Sequence, residues 1–265
     1  MRNPLAKALR AELERTTLAA RDVAQGAARD VFVQLGVKDA KAPDWLKQED
    51  LSLRRALRAR ARALGCELGA DGTQKVAALA EEVAYEQWNR MVFARFLAEN
   101  GLLIYDGVAV TLEDCAAIAE EGNLGNAWDV AADCAAKMLP NVFRPDSLSF
   151  KVKFAPDKVK KLEQLVESLD PETFQASDSL GWIYQFWQTR RKAEVNASEV
   201  KIGADELAPV TQLFTEPYMV AFLLDNSFGA WYAAKKLKGQ TFASEAEART
   251  AVSTPQIPLK YLRLV

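Results

Sequence analysis

The sequence contains no histidine in its 265 residues. This absence excludes Ser-His-Asp triads, histidine–metal sites and imidazole acid–base catalysis, because all three need an imidazole ring. Cysteine is also scarce: Cys66, Cys115 and Cys134 are odd in number and form no C-x-x-C motif. We therefore expect neither a disulfide framework nor a zinc site or other metal site. We interpret the three cysteines as buried, reduced thiols of a cytoplasmic protein.

Long apolar runs are missing as well. No stretch is long enough to span a bilayer, so we expect no membrane partner. The first residues are charged and rich in alanine, without the hydrophobic centre of a signal peptide, so we expect no secretion. The net charge of −2 argues against a uniformly basic surface for nucleic acid, but it allows a local basic patch.

The apolar residues that are present recur mostly at helical spacing, which predicts a mainly α protein. Long helices are expected over Asn3 to Gln34 and over Thr73 to Asn100, where Gly101 ends the second one. Residues 111–138 read as a helix interrupted by the G-N-L-G-N run at 122–126. Asn141 to Phe154 is the most strand-like or irregular part, and within it F-K-V-K-F at 150–154 alternates apolar and basic side chains.

A strongly basic helix is predicted from Leu51 to Leu64. Four of its arginines share one broad face: Arg54, Arg55, Arg58 and Arg62. Such a face can bind DNA phosphates in a salt-dependent manner, or it can be a solvated face paired with glutamates, and the sequence favours neither. A second basic patch follows the strand-like segment, with lysines at 158, 160 and 161. Together the two patches could follow a DNA backbone without reading its sequence.

An aromatic helix is predicted over Ser179 to Asn196. Trp182 and Phe186 lie one turn apart, as do Tyr184 and Trp187. These rings beside the cations at its carboxyl end could stack on a base, but an aromatic helix is more often part of a core, and we favour the core. Residues 88–90, W-N-R, are interpreted in the same way, as packing and helix–helix contacts.

A further helix is predicted after a polar turn, within the stretch V-T-Q-L-F-T-E-P-Y-M-V-A-F-L-L-D-N-S-F-G-A-W at 210–231. Thr215 is the expected N-cap, followed by Glu216 and Pro217 where a first turn accepts a carboxylate and a proline. Apolar residues then recur at helical spacing. Read without context, the pattern is typical of a capped core helix that binds no ligand.

This stretch resembles motif X of adenine-specific DNA methyltransferases, in which a T-Q-x-F-T-P-x-x-x-V run lies against S-adenosylmethionine. The closest resemblance is to the large methyltransferases of phage-defence systems, of the phage-growth-limitation or BREX type, with relatives in DISARM systems. Segments 81–103 and 179–196 resemble the helical region that precedes motif X there. The resemblance implies S-adenosylmethionine as cofactor, bound by Gln212, Phe214, Thr215 and Pro217. Glu216 stands where the family often has proline.

Two further family motifs do not occur in the sequence: the glycine-rich D-P-x-x-G-S-G turn and the N-P-P-[YF] loop. The resemblance therefore covers only the part of the family upstream of its first catalytic motif. It implies a helical amino-terminal scaffold that leads to the start of a class I, Rossmann-like domain whose sheet is missing. The expected parts are a helical domain at 1–140, a connecting region with the aromatic helix at 141–205, and the motif X helix with an incomplete domain start at 206–265.

The expected function is the amino-terminal part of a site-specific adenine DNA methyltransferase of a phage-defence or restriction–modification system. The family is enzymatic, but we expect no activity, no catalytic residue and weak cofactor binding in this chain alone. DNA is the expected partner, with other defence proteins as further candidates. Two alternatives stay open: a non-catalytic helical module that binds DNA or a partner, and a regulatory decoy that competes with a full-length enzyme.

Overall fold

A computed structural model describes residues 4–144, 146–198 and 215–239, together with 241, 244, 247 and 250. The chain divides into two compact units, residues 1–210 and residues 211–265. The described residues are mainly helical, which confirms the predicted fold class at that level. The finer division at 140/141 and 205/206 stays a prediction.

The first unit consists of helices of very different lengths and one short hairpin. Its helices are α1 (Lys7–Gln34), α2 (Gln48–Ala63), α3 (Ala77–Glu99), α4 (Leu112–Gly122), α5 (Ala127–Met138), α6 (Pro140–Phe143), α7 (Leu148–Lys151), α8 (Pro156–Glu167), α9 (Pro171–Gln175) and α10 (Ser179–Ser198). The hairpin pairs β1 (Ile104–Tyr105) with β2 (Val108–Ala109), and they form the only sheet among the described residues.

The centre of the first unit is α1 packed against α3, α8 and α10. The buried face of α1 carries four alanines, at 20, 24, 27 and 28, whose small side chains let neighbouring helices approach closely. One apolar cluster joins the carboxyl half of α1 to α2 and the start of α3, and its largest buried members are Phe32, Leu57 and Leu79. A second cluster joins the end of α3 to α4 and α5 around Leu103 and Phe143.

Several helices begin or end at capping residues or glycines that can be recognised in the sequence. Gly101 has φ of +63° just after α3, and the Leu102 amide donates to the Leu97 carbonyl at 2.8 Å, so the predicted glycine stop is confirmed. Thr111 caps α4 and Asn126 caps α5, each in a capping box. The predicted interruption at 122–126 is therefore confirmed.

The strand-like interpretation of residues 150–154 is wrong. Leu148–Lys151 is a short helix, α7, and only the residues after it are irregular. Val152 is fully buried in the first apolar cluster, whereas Lys151 and Lys153 on either side are exposed. One apolar residue between two lysines produces the alternating pattern without a strand.

The amino-terminal segment is tied to a distant part of the first unit. The Leu5 amide donates to Asp178 Oδ1 at 2.7 Å, and the Trp182 indole donates to Asp178 Oδ2 at 3.0 Å. Asp178 is 6% exposed, so both hydrogen bonds are shielded from water. This carboxylate joins the residues before α1 to the start of α10.

Residues 217–237 of the second unit form one helical rod. It comprises α11 (Pro217–Leu224), a π-helical turn (Asp225–Gly229) and α12 (Ala230–Leu237), which follow one another directly. Two side chains in the π-turn donate to backbone carbonyls four residues earlier: Asn226 to Phe222 at 2.7 Å and Ser227 to Leu223 at 2.5 Å. Such turns occur often at functional positions in helices.

Candidate functional site

The arginine face predicted on α2 contacts the backbone of its own unit. Arg54 is 7% exposed, and its guanidinium donates to the carbonyls of Gly36, at 2.9 Å, and Asp39. Arg58 Nη1 donates to the carbonyls of Val37 at 2.8 Å and Asp39 at 2.7 Å. The two arginines thus hold the start of residues 36–47, the segment between α1 and α2, which we call the clamped loop.

The other arginines of α2 have different surroundings. Arg55 is exposed and its guanidinium donates only to Ser52 Oγ, at 3.3 Å, among the contacts of the described residues. Arg62 is exposed and donates to Gln74 Oε1 at 3.4 Å. Arg60, outside the predicted face, makes a bidentate pair with Glu82.

The crowding of cations on α2 is reflected in the pKa of Arg58. Partial burial lowers this pKa, and the charges of Arg54 and Arg62 lower it further, while Asp39 opposes them. A cluster whose members repel one another attracts anions. The face is thus neither fully solvated nor paired with glutamates: Arg54 and Arg58 bind carbonyls, and Arg55 and Arg62 remain at the surface. DNA contact by all four stays a prediction.

The second basic patch is exposed. Lys160 and Lys161 on α8 lie at the surface, as do Lys151 at the end of α7 and Lys153 after it. Lys158 is half-buried and lies 3.9 Å from the carboxylate of Asp157. The exposed lysines of this patch are accessible to an anionic partner.

The aromatic helix α10 is core, as favoured from the sequence. Trp182, Phe186 and Trp187 are buried, and Trp182 and Phe186 stack with centroids 5.5 Å apart. Arg190 near its carboxyl end pairs with Asp22 of α1. The rings therefore serve packing in this unit.

A partly buried polar network, which the sequence did not reveal, joins three helices. Glu81 Oε1 on α3 accepts from the Trp187 indole at 2.6 Å, and Glu81 Oε2 accepts from Arg21 on α1 at 3.1 Å and from the Gln25 amide. Arg21 is 5% exposed, and its Nε and Nη1 have no hydrogen-bond partner among the described residues. The sequence gives no signal for it, because α3 contains three further glutamates, at 82, 86 and 99.

The second unit carries the residues predicted to bind the cofactor. Gln212 and Phe214 lie outside the described residues. The helix begins at Pro217, with Glu216 as N-cap and no side-chain capping hydrogen bond, so the prediction of Thr215 as N-cap is wrong. The cause is Pro217: it takes the first helical position, which moves the cap to Glu216 and leaves exposed Thr215 one residue outside.

The rod of the second unit exposes an unusual amount of apolar surface. Eight large apolar side chains in 217–231 are between 41% and 73% exposed: Tyr218, Met219, Val220, Phe222, Leu223, Leu224, Phe228 and Trp231. They occur on more than one side of the rod. A helix apolar on several sides is usually enclosed by other structure.

Acid–base catalysis by paired carboxylates and metal binding receive no support among the described residues. Asp114 accepts hydrogen bonds from the Thr111 amide and hydroxyl, which lower its pKa, and Glu120 and Glu121 are exposed. No group of three or more potential ligands lies close enough to hold a metal ion in the part of the chain described. Within the same part, no helix is both long and apolar enough to cross a bilayer.

Comparison with known proteins identifies two similar sequences. The chain is 24% identical over 226 residues to the adenine-specific methyltransferase PglX of Lacticaseibacillus casei (strain Zhang), covering 69% of this chain and 18% of that protein. It is 30% identical over 103 residues to the adenine-specific methyltransferase BrxX of Escherichia coli O9:H4 (strain HS), covering 38% of this chain and 7% of that protein. No protein-family profile matches the chain. No solved structure matches it.

The chain thus spans less than a fifth of the length of the curated relatives it matches. The resemblance to adenine-specific methyltransferases predicted from the sequence is confirmed by both relatives.

Proposed function

We propose that this chain forms the helical region of a site-specific, S-adenosylmethionine-dependent adenine DNA methyltransferase in a phage-defence system. The first unit is a scaffold and a surface for DNA, and the second unit is the helix that completes the cofactor site of the catalytic domain. The chain alone transfers no methyl group, because its sequence has neither the glycine turn nor the N-P-P-[YF] loop.

The observation that carries this proposal is the apolar rod in the chain's second unit. Its large exposed side chains lie within the stretch that resembles motif X, and the similarity to PglX extends over 69% of the chain. Burying such side chains is worth about 25 cal/mol per Å², so a covering domain would gain substantial free energy here. The catalytic sheet of a methyltransferase is the partner we assign to this surface.

Cofactor contact is proposed at the start of the rod. Thr215 is exposed just before α11, and Pro217 occupies the first helical position. The amino terminus of a helix carries a partial positive charge, which favours a negative group such as the carboxylate of S-adenosylmethionine. Gln212 and Phe214 complete the proposed set by resemblance.

DNA contact is proposed for the exposed cations of the first unit. Arg55 and Arg62 on α2 and the exposed lysines near α7 and α8 would bind phosphates, while Arg54 and Arg58 would support the loop beside them. These contacts position a duplex and contribute no sequence preference. Affinity should therefore fall steeply as salt rises.

The test is the mass of the protein in its native cells. Mass spectrometry should find a product much larger than 29.3 kDa, with peptides that contain the glycine turn and the N-P-P-[YF] loop. The purified larger product should transfer labelled methyl groups from S-adenosylmethionine to adenine in DNA, and the 265-residue chain should not. Methyl transfer by the 265-residue chain alone would contradict the proposal.

A second candidate function is a non-catalytic module that binds DNA. The basic stretch 36–62 favours it, with eight Lys and Arg against four Asp and Glu in a chain of net charge −2. A native mass of 29.3 kDa together with salt-dependent DNA binding would support this alternative and rule out the first.

A further inference from the structure

Trp45 differs from the other tryptophans of the first unit. Its side chain is 74% exposed, whereas Trp88, Trp128, Trp182 and Trp187 are at most 9% exposed. Tryptophan gains more than almost any residue from burial, so an exposed indole on an otherwise well-packed unit needs an explanation. The surroundings of Trp45 supply one.

The clamped loop that carries Trp45 is fixed from several sides. Arg54 and Arg58 bind three of its carbonyls, as described above. The Lys38 carbonyl accepts from the backbone N–H of Gln74 at 2.8 Å. Pro43 packs so closely on Gly36 that a Cβ there would lie 2.4 Å from the Pro43 ring. Leu46, next to Trp45, packs against the first apolar cluster. The indole is thus presented from an ordered backbone, which lowers the entropy lost when a partner binds it.

The charge around Trp45 favours an anionic partner. Five exposed cations precede or follow Trp45 along the loop and α2: Lys38, Lys41, Lys47, Arg55 and Arg62. The four carboxylates of the stretch 36–62 are partly engaged: Asp39 acts on Arg58, and Glu49 and Asp50 lie in the first turn of α2, where the helix dipole favours them. Asp44 is exposed. The stretch as a whole keeps a net positive charge of four, from eight cations and four carboxylates.

We infer that the clamped loop is a stacking site for an unpaired nucleobase, with Trp45 against the base and the flanking cations on the neighbouring phosphates. An aromatic ring beside lysine and arginine is the arrangement that binds single-stranded nucleic acid without sequence preference. This inference deepens the proposed DNA contact, because it assigns a residue and a strand state to it. Arg54 and Arg58 then act as positioning residues, which hold the loop without touching the nucleic acid.

The experiment measures fluorescence anisotropy of labelled oligonucleotides with the whole chain and its variants, using a single-stranded oligonucleotide and the matching duplex. Trp45→Ala should weaken single-strand binding about 5- to 100-fold, the range of one lost stacking contact. Trp45→Phe should retain most of the affinity, and duplex binding should change less than about twofold, because it rests on phosphate contacts. The control is Val108→Ala, at an exposed residue of the hairpin, which should change neither affinity.

The melting temperature of each variant shows whether it is folded, and an exposed indole should be removable without loss of stability. Single-strand binding that is unchanged in Trp45→Ala overturns the inference but leaves the proposed duplex contact intact. If the unmodified chain binds duplex and no single strand, the inference is overturned in the same way. If it binds neither, the DNA contact proposed for the first unit fails as well. The inference would also be overturned if a protein partner, and none of the oligonucleotides, shielded the Trp45 side chain from solvent.

Discussion

Glu81 and Trp187 are 106 residues apart in the sequence, yet the indole nitrogen lies 2.6 Å from a Glu81 oxygen. The other oxygen of the same carboxylate accepts from Arg21, so one side chain of α3 binds both α1 and α10. Arg21 is buried, so removing the Glu81 carboxylate leaves its charge buried and uncompensated. The network therefore matters more for stability than the exposed ion pairs of the unit.

Glu81→Ala should lower the free energy of unfolding by about 3 kcal/mol, the cost of leaving a buried Arg21 without its carboxylate. Urea denaturation followed by circular dichroism measures it. The matched control is Asp22→Ala, since Asp22 also connects α1 to α10, through Arg190, but both side chains are about half exposed. The control should cost less than about 1 kcal/mol. Equal losses in the two variants would contradict the structural role of Glu81.

Two neighbouring arginines of α2 should behave in opposite ways. Arg54→Ala should lower the free energy of unfolding by about 2 kcal/mol, because the carbonyls of buried Gly36 and of Asp39 lose a charged donor. Arg55→Ala should leave stability within about 0.5 kcal/mol and reduce the slope of log K against log salt for duplex DNA by about 0.9, the value of one phosphate contact. Denaturation and salt titration of both variants separate the two roles. If Arg54→Ala reduced the salt slope and left stability unchanged, the roles assigned to Arg54 and Arg55 would be wrong.

Gly36 and Gly101 share a left-handed backbone but have different space around them. Their φ angles are +58° and +63°, and a Cβ would meet the Pro43 ring at 2.4 Å only at Gly36. Gly101→Ala should cost about 1 kcal/mol for the backbone alone, and Gly36→Ala should cost about 1–3 kcal/mol more for the clash. Thermal melts of the two variants give the difference. Equal losses would mean that Pro43 moves away without cost.

The three cysteines should react at different rates. Burial raises the pKa of the Cys115 thiol to about 11, with smaller contributions from Cys134 and Asp114, and burial also raises the pKa of Cys134. Because the thiolate is the reactive form, iodoacetamide at pH 8 should modify half-buried Cys66 first and the other two only in denaturant. Peptide mass spectrometry identifies the modified residues. In a Cys66→Ala variant, native-state labelling should almost disappear.

Tyr85 should make the free energy of unfolding depend on pH, and one substitution isolates this contribution. Its ring contacts Tyr184 and Trp187, and burial, aided by Tyr184, raises its pKa to about 12 from an ordinary value of 10. A raised pKa stabilises the fold below pH 10, and this contribution is lost as the pH rises from 10 to 12. Tyr85→Phe should therefore lose less stability than the parent chain over that range, by about 2 kcal/mol. Parallel denaturation curves at pH 9 and pH 11.5 test it.

Elements with strong local signals could be predicted from the sequence. The helix over 77–99, its stop at Gly101 and the break at 122–126 depend on periodicity, glycine and caps, which are properties of neighbouring residues. The core role of Trp182 and Trp187 was also predictable, because large rings at helical spacing pack well. The overall helical class followed from these elements.

Long-range partners could not be predicted in the same way. Helical spacing places Arg54 and Arg58 on one face, but their acceptors are carbonyls of a loop 15 to 21 residues earlier, and no pattern announces a carbonyl. The N-cap at Glu216 has a local cause, because Pro217 fixes the first helical position more strongly than the Thr215 hydroxyl favours a cap one residue earlier. Exposure of Trp45 depends on what packs beside it, which only the fold determines.

The Leu5–Asp178 hydrogen bond has a consequence for synthesis on the ribosome. The segment before α1 leaves the exit tunnel well before Asp178, its partner 173 residues later. Glu81 likewise leaves the tunnel 106 residues before its partner Trp187. At about 5–20 residues per second, these 173 residues take about 9–35 s to make, and the part of α1 that packs on α10 stays uncovered for that time. The first unit should therefore complete its folding only when α10 emerges, and nascent chains that stop before it should need a chaperone to stay unaggregated.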